Sequence, residues 1–165
     1  MKAYEFTVVS SCPNADIVSL SERLFDAGCD DATVSLQKGV AVIDFDREAK
    51  NFSHATKSAI SGVQSAGGDV LYIAPDHLVS LSDIANRAGL TRAAVCNYAN
   101  GIRGRDFPAP VSRATTDTPL WDWVEVARWL VRRHGRLTLS DVVHARVVRR
   151  ENLALRRRAD HRHAA

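Results

Sequence analysis

The sequence predicts an α+β fold in two parts, an N-terminal β-α-β-β-α-β domain followed by a mostly helical domain. Up to about residue 73, short runs of alternating apolar residues are separated by helical stripes and glycine turns. After Pro75-Asp76, the apolar residues recur mainly at helical spacing. The length of 165 residues suits one compact domain or two small ones, and the composition, 45% hydrophobic and 25% charged, is that of a globular protein.

The N-terminal domain is predicted to begin with a strand, a helix and a hairpin. Residues 4–9 alternate apolar and polar as a strand does, and Pro13-Asn14 breaks the pattern. A helix follows that ends at Gly28, and its apolar stripe is Ile17, Leu20, Leu24 and Phe25. Residues 32–36 and 40–45 are two strands joined by a tight turn at Lys38-Gly39.

A second helix and a last strand complete this domain, which spans residues 1–75. Asp46 is the expected N-cap of the helix, with Glu48 in its first turn. Its apolar stripe is Ala49, Phe52, Thr56, Ala59, Val63 and Ala66. Gly67-Gly68 ends the helix, and residues 70–73 form the strand. The resulting order is the ferredoxin-like arrangement, a sheet with two helices on one face.

The two halves of the chain carry opposite net charge. Residues 1–75 contain 6 basic and 10 acidic side chains, whereas residues 76–165 contain 16 basic and 9 acidic ones. Every basic residue of the second half is an arginine, whose planar guanidinium suits phosphates and guanine edges. This asymmetry favours a polyanionic partner for the second half.

Several classes of function are not expected. The cysteines Cys12, Cys29 and Cys96 form no close pair, so neither a disulfide framework nor a cysteine metal site is predicted. No apolar run is long enough to cross a bilayer and no signal peptide is evident, so we expect a cytoplasmic protein. No metal or cofactor is expected.

An enzyme is also not expected. Asp44, Asp46 and Glu48 could suggest a metal-dependent nuclease, but a helix cap and first-turn acids explain these residues better. No Ser-His, His-Cys or phosphate-loop pattern accompanies them.

The helical half begins with two short helices joined by a turn. Ser82 is the expected cap of a helix that ends at Gly89, a residue suited to left-handed backbone. Thr91 is the expected cap of a second helix that runs to about Asn100. Val95 is expected to pack back under the first helix, where the small Ala85 permits a close crossing. A plain helical hairpin is the alternative for this segment.

The second of these helices is predicted to expose a polar, short-chained face, consisting of Arg92, Ala93, Cys96, Asn97 and Asn100. Arg92 could bond a guanine edge or a phosphate, and Asn97 could pair with adenine. The backbone N–H groups near Ser82 and Thr91 could hold phosphates.

The chain after about residue 122 is predicted to form two more helices and a basic C-terminal end. Asp122 is the expected cap of a third helix that ends at Gly135, and Ser140 the cap of a last helix. Residues 136–165 form a basic C-terminal helix and tail, fraying from Arg156 onward. The basic run from Arg146 to Arg162 is either a second DNA contact or partner helix that orders on binding, or a frayed, charged tail.

One stretch resembles a known family. The residues that carry the resemblance are Leu81 to Tyr98, Phe107-Pro108-Ala109-Pro110-Val111, Leu120-Trp121 and Val126-Ala127-Arg128-Trp129-Leu130. Over about residues 78–131 the chain is similar to the winged helix-turn-helix of excisionase-like and MerR-like DNA-binding proteins. The resemblance implies a winged helix-turn-helix domain over residues 76–135, in which the Phe-Pro-x-Pro stretch and the Trp strand form the wing.

The resemblance also implies which residues contact double-stranded DNA. In the second helix they are Thr91, Arg92, Asn97 and Tyr98. Near the wing they are Arg103, Arg105 and Arg113, for which a solvated loop is the alternative. The link from Asn100 to Phe107 is longer and richer in glycine and arginine than in the family's minimal version.

Two functions therefore stand as hypotheses. The first is a sequence-specific transcriptional regulator, a repressor or autoregulator, that binds DNA as a homodimer because one short helix rarely supplies enough specificity. Its N-terminal domain would dimerise or bind a protein partner or small-molecule effector. The second is a protein-interaction adaptor, antitoxin-like or phage-derived, with secondary DNA binding, which would need an exposed apolar patch within residues 4–73.

Overall fold

A computed structural model describes residues 1–12 and 16–164 of the chain, which has a mixed α/β structure. The described residues form six helices, a four-stranded antiparallel sheet and a two-stranded sheet. The chain divides into two compact units, one of Met1–Asp76 with Arg150–Ala165 and the other of His77–Arg149. No described helix has the length and apolarity needed to cross a membrane. The break predicted at Pro13-Asn14 lies outside the described residues.

The four-stranded sheet belongs to the first unit. Its strands are β1 (Lys2–Ser11), β2 (Ala32–Gln37), β3 (Val40–Ala49) and β4 (Asp69–Ala74). Their order is β2-β3-β1-β4, and each neighbouring pair is antiparallel. Burial alternates along β3, so one face of the sheet is covered and the other faces solvent.

Two helices, α1 (Ile17–Asp26) and α2 (Phe52–Ser65), pack on the sheet and contact each other. Leu20 and Leu24 of α1 are buried as predicted. Phe25 is not, and its side chain is 67% exposed. It lies seven residues after the exposed Val18, almost two full turns, and therefore on the same outward side of the helix.

The helix cap predicted at Asp46 is wrong. β3 continues to Ala49, and the cap of α2 is Asn51, whose side chain accepts a hydrogen bond from the His54 N–H at 2.9 Å. The reason is a tertiary contact: Arg47 points to the covered face and forms two bonds with the Asp31 carboxylate, at 2.6 and 2.7 Å. This carboxylate raises the pKa of Arg47. Asp46 and Glu48 alternate onto the exposed face, so Glu48 is not in a helical first turn either.

The last helix, α6 (Leu139–His163), contributes its second half to the first unit. There Asn152, 5% exposed, accepts a hydrogen bond from the Ile73 N–H at 2.7 Å and donates to the Ile73 carbonyl at 3.0 Å. Arg162 bonds to the Asp69 carboxylate at 2.8 Å. Because α6 is helical to His163, the prediction that it frays from Arg156 is wrong.

The second unit holds β5 (Leu78–Val79), α3 (Leu81–Ala88), α4 (Arg92–Ala99), β6 (Trp121–Asp122) and α5 (Trp123–His134), together with the first half of α6. β5 pairs with β6 in antiparallel fashion. The core of this unit includes Val79, Ile84, Val95, Trp121, Val124, Val126 and Leu130.

Two predicted caps in this unit each lie two residues after the true one. Ser80, not Ser82, caps α3, because Asp83 bonds back to the Ser80 N–H at 2.8 Å and completes a capping box. Thr138 and Asp141 bond each other in the same reciprocal way at the start of α6, so Ser140 is not the cap. The N–H of Thr138 lowers the pKa of Asp141.

Candidate nucleic-acid interface

A tight turn holds α3 and α4 against each other. Gly89 ends α3 with φ 62° and ψ 36°, the left-handed conformation that was predicted for it. The Leu90 N–H then bonds to the Ala85 carbonyl at 2.9 Å. Ala85 and Val95 are buried in one core, as expected for a close crossing of the two helices. The geometry is a helix, a left-handed turn and a second helix.

A residue that the sequence analysis did not single out braces this turn. Arg136, beyond the end of α5, donates a hydrogen bond to the Gly89 carbonyl at 2.6 Å. A carbonyl at a helix C-terminus attracts a cation, so this contact fixes the turn from outside. The only cue in the sequence is an arginine just after the helix-ending Gly135, and nothing there names Gly89 as its partner.

Helix α4 begins where it was predicted to begin. The Thr91 hydroxyl accepts a hydrogen bond from the Ala94 N–H at 3.1 Å, which makes Thr91 the N-cap. Thr91 and Arg92 are exposed at this end, where the helix dipole favours anions. Ser82 is also exposed, in the first turn of α3.

The outer face of α4 is basic to neutral. Its sequence, RAAVCNYA, contains no acidic residue. In the described part of the chain, the Arg92 guanidinium forms neither a hydrogen bond nor an ion pair. Asn97, one turn further on, is half-buried, and Asn100 is exposed and donates to Cys96 Sγ at 3.3 Å. The predicted face is therefore accessible along two turns of helix.

Tyr98 occupies a different position from the other predicted contacts. Its ring packs against Trp129, with ring centroids 5.1 Å apart, and against Phe107 at 6.1 Å. The residue is half-buried and belongs to the aromatic cluster under α4. Its expected contact with DNA stays a prediction, and the geometry assigns its ring a packing role.

The loop after α4 is held in place from both sides. The Asn97 carbonyl accepts from the N–H groups of Ile102 and Arg103, at 2.9 and 3.2 Å. The Trp129 indole N–H donates to the Arg105 carbonyl at 2.8 Å. Gly104, at φ 74°, lies so close to the Trp129 ring that a Cβ there would approach it to 2.8 Å. The backbone of this loop is thus anchored while the Arg103 and Arg105 side chains are exposed.

A hairpin follows this loop. Ser112 pairs with Leu120 in antiparallel fashion, and Leu120 N–H donates to the Ser112 carbonyl at 2.9 Å. Arg113, at φ 54°, starts the tip, and its guanidinium bonds to the Thr118 hydroxyl at 3.4 Å. The Trp121 indole N–H ties the base of the hairpin to the Pro108 carbonyl at 3.0 Å.

The second unit therefore presents four exposed cationic positions on its predicted contact elements, namely Arg92, Arg103, Arg105 and Arg113. Arg92 lies on α4, Arg103 and Arg105 lie on the loop bonded to α4, and Arg113 lies on the hairpin tip. Among the described residues no group of three or more His, Cys, Asp or Glu side chains is arranged to hold a metal ion. The arrangement is suited to binding a polyanion through a helix, a loop and a hairpin.

Comparisons with protein-family models, with curated proteins and with solved structures found no match to this chain.

Proposed function

We propose that the chain is a sequence-specific, DNA-binding transcriptional regulator whose second unit is a winged helix-turn-helix. In this proposal α4 lies in the major groove of double-stranded DNA. The observation that carries it is the outer face of α4, which has no acidic residue and begins with the exposed Arg92, a side chain with no ion-pair partner among the described residues. Arg92 bonds guanine O6 and N7 or a phosphate, and Asn97 bonds adenine.

The hairpin from Val111 to Leu120 is the wing of this motif. Its tip carries Arg113, which would meet the phosphate backbone beside the groove. The anchored loop supports Arg103 and Arg105 as further phosphate contacts, since their backbone is held by the aromatic core. Contacts of this kind set the position of a protein on DNA, whereas base contacts set the sequence.

The charge of the second unit supports the same partner. Residues 77–149 contain 11 arginines and 6 acidic residues, whereas the remainder of the chain has an excess of acidic residues. A local excess of cations gives sequence-independent affinity and makes binding depend on salt.

The first unit is proposed to be a ferredoxin-like domain that dimerises the chain or receives an effector. The strand order β2-β3-β1-β4, with α1 and α2 packed on the sheet, supports this arrangement. A homodimer acting as repressor or autoregulator at the nucleoid would place two α4 helices on paired half-sites.

The adaptor hypothesis has one observation in its favour. α1 exposes Val18 and Phe25, which are 70% and 67% exposed, and exposed apolar side chains of this size suit a protein partner. An adaptor would bind another protein through α1, with DNA binding secondary.

The test is a fluorescence-anisotropy titration against a duplex from the DNA upstream of the protein's own reading frame and against a scrambled duplex. Arg92→Ala should weaken binding to the upstream duplex by roughly 5- to 150-fold if the arginine bonds a guanine. Arg92→Lys keeps the charge but loses the paired donors of the guanidinium. Compared with Arg92→Ala, it should regain the affinity that phosphate contact supplies, but not the preference for the upstream duplex over the scrambled one.

Arg23→Ala is the matched control, because it removes the same charge from an exposed helical position in the other unit. It should leave both affinities within about twofold, as a distant surface charge does in salt. If Arg23→Ala and Arg92→Ala lowered the affinity for the upstream duplex equally, the contribution of Arg92 would be nonspecific charge attraction, which would contradict a base contact. No binding to either duplex would overturn the proposal.

A further inference from the structure

A groove lies within the first unit, between the end of α2, the start of β4 and the last turns of α6. Its volume is about 540 Å³, which lies within the range of pockets that bind small molecules. Every residue that lines the groove belongs to Met1–Asp76 or Arg150–Ala165, so the groove is a feature of one compact unit.

The floor of the groove is apolar. Val70 of β4 and Leu155 of α6 line it, and only 4% and 6% of their surfaces are exposed, which places them at its base. Apolar atoms make up most of the exposed lining. Such a lining favours a ligand with an apolar body, because contact with it removes apolar surface from water on both sides.

The wall that α6 contributes is fixed to the sheet. Asn152 bonds to both the N–H and the carbonyl of Ile73, at 2.7 and 3.0 Å, just before the lining segment of α6 begins. Arg162 bonds to the Asp69 carboxylate at 2.8 Å, at the far end of that segment. The groove is therefore formed without a ligand, which lowers the cost of binding one.

The charge of the groove is positive. Asp69 is the only acidic residue among the described residues that line it, and its carboxylate is already bonded to Arg162. Arg157 and Arg158 also line the groove, and their exposed guanidinium groups form no ion pair or hydrogen bond within the described parts of the chain. The His161 ring donates Nδ1–H to the Arg157 carbonyl at 2.7 Å, which holds it against its own helix. The two arginines therefore favour an anion.

We infer that this groove binds a small organic anion, an apolar body that carries a carboxylate, sulfonate or phosphate group. The body contacts Val70 and Leu155, and the anionic group bonds to Arg157 and Arg158. A guanidinium donates in pairs to groups of this shape. Leu155 and Arg158 are three residues apart on α6 and are neighbours on one face, which sets the charge beside the apolar floor.

The phosphate backbone of DNA is the competing occupant, since Arg157 and Arg158 could also bond phosphates. A duplex would contact the rim of the groove and leave its buried apolar floor unused, so the floor favours a small molecule. As an effector site, the groove rests on the proposed function and names the chemical class of the effector. Binding of the anion itself is measured without DNA.

The experiment is a fluorescence titration of the full chain with anilinonaphthalene sulfonate, an aromatic anion whose emission rises in apolar surroundings. The double variant Arg157→Ala with Arg158→Ala should raise the dissociation constant of this probe roughly tenfold, because charge-assisted bonds are lost. The control, Arg146→Ala with Arg156→Ala, removes two charges from exposed positions of α6 outside the groove and should stay within about twofold of wild type.

Competition tests the ligand from the other side. Naphthoate should displace the bound probe, whereas the uncharged naphthalenemethanol at the same concentration should not. Equal dissociation constants for the two double variants, or equal displacement by the two competitors, would overturn the inference. Displacement by a scrambled duplex that also binds the Arg157/Arg158 variant more weakly would assign these arginines to DNA and overturn it as well.

Anisotropy with the upstream duplex is measured in parallel, so that the two proposals can fail separately. A protein that binds the probe in an arginine-dependent way and binds no DNA would uphold the groove and contradict the proposed function. Specific DNA binding by a protein that does not bind the probe would contradict the groove and leave the proposed function standing.

Discussion

Replacing Gly104 by alanine should loosen the loop that carries Arg103 and Arg105, whereas the same change at Gly101 should not. Both glycines have left-handed backbone, with φ 74° and 70°. They differ in their surroundings: a Cβ on Gly104 would lie 2.8 Å from the Trp129 ring, and one on Gly101 would meet nothing within 4 Å. Gly101→Ala is therefore a matched control for backbone strain.

The expected magnitudes follow from these contacts. Either alanine should cost about 1–2 kcal/mol of unfolding free energy, the strain of a left-handed alanine. Gly104→Ala should cost a further ~1–3 kcal/mol, because the ring or the loop must move. If the loop moves, the bond from the Trp129 indole to the Arg105 carbonyl weakens as well, which is worth about 1 kcal/mol.

Urea unfolding followed by tryptophan fluorescence suits this test, since all three tryptophans, Trp121, Trp123 and Trp129, belong to the second unit. Gly104→Ala should shift the emission of the folded state and lower DNA affinity several-fold, because phosphate contacts from the loop are lost. Gly101→Ala should do neither. Equal unfolding free energies with unchanged emission in both variants would refute the anchoring of this loop by Trp129.

Two further predictions concern the long last helix. Asn152→Leu should lower the free energy of unfolding by about 2–5 kcal/mol, because the buried N–H and carbonyl of Ile73 both lose their partner; a loss under ~1 kcal/mol by urea unfolding and far-UV circular dichroism would count against that role. Asp141→Asn should lower the free energy of unfolding at pH 7. This difference from wild type should disappear as the solution is acidified. The folded pKa of Asp141 lies below its ordinary 3.8, so its contribution is present above pH 3.8 and disappears as pH falls through the folded value. Thermal unfolding from pH 7 to pH 3 checks this, and a constant difference from wild type would contradict it.

Local signals predicted the turn between α3 and α4 well. Gly89 is left-handed, Thr91 caps α4 and Val95 is buried, all as expected. Each depends on interactions within a few residues, such as a cap or a backbone that only glycine adopts easily. The caps at Ser80 and Thr138 were missed although the cue was present, because each begins a Ser/Thr-x-x-Asp box close to a competing serine.

Contacts between residues far apart in the sequence explain why the end of β3 and the length of α6 were not predicted. β3 runs past Asp46 because Arg47 is drawn inward by Asp31, sixteen residues earlier in the chain. No residue near Asp46 in the sequence indicates that Arg47 pairs with Asp31. Likewise, the buried face of α6 includes the polar Asn152, whereas Val143 and Leu153 are exposed, so no strong amphipathic stripe predicts a helix of 25 residues.

The residues of the candidate site could be predicted from the sequence, but the contacts that hold them in place could not. The exposed face of α4 follows from helical spacing alone. The brace from Arg136 to Gly89 and the anchoring of Arg105 by Trp129 join residues 47 and 24 positions apart. Only the folded core brings these residues together.

The most direct test of major-groove docking by α4 uses a bound duplex in which each guanine is replaced in turn by 7-deazaguanine. This base lacks the N7 acceptor of the major groove and keeps the Watson–Crick pair. The account predicts that one substitution weakens binding by wild type about tenfold and leaves binding by Arg92→Ala unchanged, since the contact is already gone. Losses that are equal for both proteins, or no loss at any guanine, would contradict a base contact from Arg92.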